Sequence, residues 1–209
     1  QARVFTDFET FHSNFLAVPD ATTTRATGRL STRQKVPTTG VGGMVQWSRA
    51  VGQRHDVQIG TDMRWVEGES QETDLDTTFG TSVIRQRAAG GTQRSVGAFV
   101  QDIVTPHPRL AVTFSVRVDH WRNDNAHNLE TNQPAGTPTA NDNPTLPERV
   151  DTVVSPRVGA LYRVSDQLSA WGSLSSGFRA PTLNELYRQF RVGTTLTVAN
   201  SDLGPERLK

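Results

Sequence analysis

Charged side chains two positions apart, Asp62 with Arg64 and Arg117 with Asp119, are the residues in this chain best spaced for chemistry. On an extended strand a period of two puts both members of a pair on one face, where they hold ions, polar solutes or each other. Arg157 adds a further forked donor in the same kind of setting. Two clusters invite a metal reading. Glu67, Glu69, Glu72, Asp74 and Asp76 form an acidic run, and His120 and His127 lie near Asp119 and Asp124. The acidic run lacks the glycine turn of a dedicated calcium loop, so a solvated, mobile loop that attracts cations electrostatically explains it more simply. The histidines fall in an Asn/Asp-rich stretch that reads as a solvated loop, and no metal site is expected there.

The arrangements that catalysis needs are missing. There is no phosphate-cradling glycine loop ending in Lys, no His-Glu-x-x-His and no Gly-x-Ser-x-Gly; Ser173 and Ser175 stand near Gly172 and Gly177 at the wrong spacing. The expectation is therefore a non-enzyme without a cofactor. Cysteine is absent, which removes disulfide and thiolate-metal chemistry. A net charge of +1 with both signs dispersed argues against a nucleic-acid partner. Only Lys35 and Lys209 among the 22 basic residues are lysine. That bias suits forked recognition of carboxylate or phosphate, although a GC-rich genome accounts for it more simply.

The elements that carry these residues alternate apolar and polar side chains. From Leu110 to Trp121, Leu110, Val112, Phe114, Val116 and Val118 interleave with Ala111, Thr113, Ser115, Arg117 and Asp119. From Asp56 to Val66, Val57, Ile59, Met63 and Trp65 oppose Asp56, Gln58, Asp62 and Arg64. Less regular alternation marks 41–48 and 154–163, and further strands are expected at 3–15, 23–34, 92–104 and 167–178. With only 34% apolar residues in 209, a large water-soluble core is hard to build. A membrane barrel resolves this, since every second strand residue meets lipid and the rest line a wet interior. No window holds the roughly 18 apolar residues of a spanning helix. The fold class expected is all-β, a transmembrane antiparallel β-barrel fragment of about eight long strands. Trp47, Trp65, Trp121 and Phe178 near strand ends suit interfacial aromatic girdles.

Short links at 50–54, 105–108 and 165–167 alternate with long polar ones at 67–91 and 123–150. Outer-membrane barrels have short periplasmic turns and long extracellular loops, so this order orients the chain. With eight strands, both ends fall on the extracellular side, which is awkward for a complete barrel and implies a fragment.

The last such strand runs into Gly177-Phe178-Arg179-Ala180-Pro181-Thr182-Leu183-Asn184-Glu185-Leu186-Tyr187, followed by Asn200-Ser201-Asp202-Leu203-Gly204-Pro205-Glu206. Pro181 cannot donate to a sheet ladder, and Thr182 with Glu185 three residues on has capping-box spacing for a short helical turn through Tyr187. These residues read as mainly structural. The motif resembles the signature of TonB-dependent outer-membrane receptors, with Ser201 where that family usually has Pro. The resemblance implies that residues 1–209 are part of a receptor β-barrel domain whose plug, coupling box and final strands lie outside this stretch. It further implies location in the bacterial outer membrane, contact with outer-membrane lipid, and energy-coupled uptake of a scarce small-molecule nutrient such as a siderophore or vitamin. The inner-membrane energy-coupling protein would be engaged through a segment not in this chain. On this view Asp62, Arg64, Arg117, Asp119 and Arg157 face the lumen. A passive porin-like channel or an adhesive barrel has the same alternation, and a soluble β-rich secreted enzyme is a more distant alternative.

Overall fold

The computed structural model describes residues 1–18, 28–76, 78–192 and 195–208. Long antiparallel strands dominate: β1 (Ala2–Ala17), β2 (Arg29–Val51), β3 (His55–Leu75), β4 (Val83–His107), β5 (Leu110–Asn132), β7 (Arg149–Arg163) and β8 (Ser169–Ser175) follow one another in chain order across one sheet. A two-residue strand, β6 (Thr137–Pro138), hangs off β5 as the eighth member. The sheet is all antiparallel and does not close on itself; β1 and β8 are its edges.

Register sorts the side chains into two faces. Val45, Trp47, Ile59, Met63, Val96, Val100, Phe114, Val116, Val118, Val154 and Val158 occupy equivalent positions on neighbouring strands and form one continuous apolar face. That face is uncovered by protein, with Ile59 50%, Val96 53%, Phe114 53% and Val154 52% exposed. An apolar band of this extent left bare has a non-aqueous neighbour. Sequence alternation, not a buried interior, is thus what makes these strands.

The strands are longer than alternation alone indicates, and three expectations are corrected. Residues 23–34 and 41–48 are not separate strands: the described part, from Arg29, runs through to Val51 as one 23-residue strand, and residues 19–27 lie outside the described residues. Pro37, which cannot donate to a ladder, sits where the β2–β3 ladder has a gap while the β1–β2 ladder continues past it, paired with Thr10. The polar stretches at 67–91 and 123–150 are loops only in part, at 76–82 and 133–148. β3 and β4 stay paired up to Leu75 and Val83, and β5 continues to Asn132. Beyond the apolar band both faces are wet, so the sequence loses its period of two while the backbone ladder persists. Finally, with the two early strands fused, β1 starts on the short-turn side and β8 ends on the long-loop side, so the strands do not both begin and end on one side.

Strands of 21 to 25 residues from β2 to β5 are about twice the roughly 9–11 residues that an oblique strand needs to cross a bilayer. The β3–β4 tip is tied by Asp76, whose carboxylate accepts the backbone N–H groups of Thr78, Phe79, Thr81 and Ser82 at 2.7–3.0 Å. Those bonds stabilise the charged form and hold the Asp76 carboxyl well below the usual range.

After β8 the chain turns back over the polar face as β9 (Gly177–Arg179), α1 (Leu183–Tyr187), β10 (Phe190–Val192), β11 (Thr195–Thr197) and β12 (Glu206–Leu208). β12 pairs with β9, and β10 with β11. The small buried apolar core lies here: Leu186 and Tyr187, each 1% exposed, pack with Ala126, Leu146 and Leu183.

Candidate functional site

The polar face carries two charge clusters, one at mid-height and one towards the long-loop rim. At mid-height, register places Asp62, Gly97 and Asp119 side by side on β3, β4 and β5. Arg117 reaches across them. Its guanidinium donates to both Asp62 oxygens at 2.7 and 2.9 Å and to Asp119 at 2.6–2.9 Å. Gly97 makes this possible: a Cβ there would collide with the guanidinium and with Asp119. A guanidinium forked between two carboxylates leaves one net negative charge, a surface suited to holding cations or donor-rich solutes.

Arg64 shares this face one step up β3, and lines a shallow recess with Asp7, Glu9 and Thr38. Arg157, opposite Ser115, lies on the same face further along the sheet. The five residues singled out from sequence thus share a face, and three of them, Asp62, Arg117 and Asp119, touch.

Higher up lies a second cluster whose bonding sequence reasoning missed. Glu72 (5% exposed) and Glu130 (2% exposed) bracket Arg87, which pairs with them at 2.8 and 2.7 Å. Arg188, just after α1, binds Glu72 at 2.5–2.6 Å, and the Ser70 hydroxyl donates to Glu72 at 3.3 Å. Arg85 pairs with Asp74 at 2.8 Å. The acidic run is therefore not a mobile loop: Glu72 and Asp74 are ladder residues neutralised by arginines, and Glu69 meets His127 at 2.9 Å. The only hint in sequence is the matching basic run Arg85-Gln86-Arg87, recognisable once β3 and β4 are known to pair to their ends. His120 and His127 do not converge, since His120 meets the Thr152 hydroxyl at 2.9 Å instead.

The signature segment is a clip. Thr182 and Glu185 form the expected capping box. Arg179 then grips Glu185 at 2.9 and 3.0 Å and Glu206 at 2.8 and 3.1 Å, joining all three parts of the motif. These bonds hold the Glu185 carboxyl down to about 2 and lower that of Glu206. The clip is fastened to the wall: Gln93 donates to the Pro181 carbonyl at 3.1 Å, Arg87 to that of Gln189 at 3.3 Å, and Arg149 to that of Ser201 at 2.6 Å while pairing with Asp202. Leu186 and Tyr187 are buried beneath α1, and Trp121 is buried on the polar face, 3% exposed, so it is not an interfacial girdle residue. Trp47 keeps that position, half exposed on the apolar face.

Comparison with known proteins agrees with this geometry. The sheet superposes on the copper transporter OprC with a TM-score of 0.70 at 16% identity, covering 99% of this chain and 32% of that one. It superposes on the ferric yersiniabactin uptake receptor FyuA from Yersinia pestis with a TM-score of 0.59 at 12% identity, covering 86% of this chain and 26% of that one. Identities this low speak to fold alone, and the chain spans about a third or less of either structure. No curated protein matches. The family profile described as TonB dependent receptor-like, beta-barrel matches residues 1–209, and the chain belongs to that family.

Proposed function

We propose that this chain is an arc of the wall of a bacterial outer-membrane receptor that takes up a scarce nutrient by energy-coupled import. Members of the family are transporters rather than enzymes, and outer-membrane nutrient uptake is what family and neighbours support. The observation that carries the reading is the division of one antiparallel sheet into a bare apolar face and a face of paired charges, with the signature segment clipped over the latter. On this reading Asp62, Arg64, Arg117, Asp119 and Arg157 line a wet lumen. Outer-membrane lipid covers the apolar face, and the energy-coupling protein is engaged through a segment outside this chain.

Cargo follows from the chemistry of the wall only in class: a small, polar, metal-bearing or donor-rich nutrient. OprC is a copper transporter and FyuA a ferric yersiniabactin uptake receptor, so copper and ferric siderophores are the two cargoes to try first. The test is uptake of radiolabelled copper and of ferric siderophores by cells with and without the intact gene, each with and without a protonophore. Gene-dependent uptake abolished by the protonophore is expected. Gene-dependent uptake that ignores the protonophore would convert the protein to a passive channel.

A further inference from the structure

Towards the long-loop rim Arg33 stands exposed without an ion pair among the described residues, but several arginines around it are paired. Arg85, Arg87, Arg122, Arg149 and Arg188 all meet carboxylates. At the short-turn rim Arg49, Arg54, Arg109 and Arg163 are exposed, and among the described residues none of these four has an ion-pair partner. They are nevertheless held in place along the rim. The backbone N–H of Thr105 donates to the Arg54 carbonyl at 2.7 Å, and that of Arg163 to the Arg109 carbonyl at 2.8 Å, pinning each turn to the next strand. The neighbouring acids do not neutralise them: Asp102 is held by His55 at 2.7 Å, and Asp56 lies on the polar face.

The apolar face starts at this rim. Trp47 stands two residues before Arg49 on the same side of β2, half exposed, and Tyr162, 48% exposed, lies on the apolar side of β7 one residue before Arg163. A shallow open groove lined by Val100, Phe114, Val116, Val158 and Leu174 runs on that face, with Asp102 at its end towards the short-turn rim. Unpaired guanidinium forks at the end of an apolar surface match a molecule with an anionic phosphate head and a hydrocarbon tail.

We propose that the short-turn rim is a docking surface for anionic phospholipids of the adjoining leaflet, the phosphodiesters of neighbouring lipids meeting Arg49, Arg54, Arg109 and Arg163 in turn along the rim and an acyl chain following the groove. This rests on the membrane-barrel reading. The test uses the full-length receptor in phosphatidylcholine nanodiscs doped with phosphatidylglycerol, counting phosphatidylglycerol retained on the barrel by native mass spectrometry after release. Enrichment over phosphatidylcholine is expected for the wild type. Replacing the four arginines together with glutamine should lower it roughly tenfold or more, while four lysines restore most of it and Arg33→Gln, towards the other rim, leaves it unchanged. Heat-modified electrophoretic mobility establishes that each variant is folded. A folded wild type without enrichment, or enrichment unchanged in the glutamine variant, would overturn the docking surface and leave the barrel reading intact; failure of the wild type to enter nanodiscs would overturn both.

Discussion

Two arginines of the signature region show how burial decides the worth of an ion pair. Glu72 sits nearly water-free between Arg87 and Arg188, so removing its carboxylate strands two guanidinium groups in a low-dielectric site. Glu72→Ala should destabilise the folded barrel by about 3 kcal/mol or more, read as a lower urea midpoint for loss of heat-modified mobility. Arg179, by contrast, works in solvent, its partners Glu185 and Glu206 being 39% and 64% exposed. Arg179→Ala should leave that midpoint unchanged and instead speed proteolysis within 177–208. The same clip is pH-sensitive with a definite sign. The Glu185 carboxyl falls from 4.5 to about 2 because Arg179 and the Thr182 N–H favour its charged form, so the clip is fully held above about 4.5 and released as pH falls towards 2. Protection of the α1 amides, measured against the intrinsic exchange rate at each pH, should fall as pH drops across that window; unchanged protection would remove Glu185 as the fastener.

At the scale of strands, alternation was legible wherever lipid enforces it and illegible where water bathes both faces. Leu110 to Trp121 reads cleanly because a slip of one residue would turn Arg117 and Asp119 to the apolar side. The stretches 67–75, 83–91 and 123–132 are equally regular as backbone but carry Glu, Gln, Asn and Arg on either face, so only their pairing partners identify them. The lumen candidates were legible as a shared face from their period. The Glu72–Arg87–Glu130 cluster was not, since its members come together only through strand pairing. The facing makes a paired prediction: Val116→Arg should cost about 2–4 kcal/mol near mid-bilayer, whereas Thr113→Arg, on the polar face of the same strand, should change stability by roughly 0.5 kcal/mol or less. Urea titration of both variants in the same lipid checks it, and equal costs would refute the assignment of faces.

For the sheet as a whole, the decisive fact is that β1 and β8 each present an unpaired edge. A row of open N–H and C=O groups is tolerable in water and expensive in hydrocarbon, where each unsatisfied group costs several kcal/mol. β1 offers 16 residues of such edge with Val4 81% and Phe8 77% exposed beside it, the combination that recruits another strand. Local strength does not offset this. The polar-face clusters and the clip tie β3, β4, β5 and the signature segment together, but none of their bonds reaches either edge. Residues 1–209 expressed alone should therefore form mixed oligomers in detergent and lack a heat-modified monomer band, whereas on the proposed reading a longer chain that pairs both edges should give one. Light scattering together with unheated electrophoresis separates the outcomes. A monodisperse, heat-modifiable monomer of the 209-residue piece would mean that β1 and β8 find each other, closing a smaller barrel than the family profile implies.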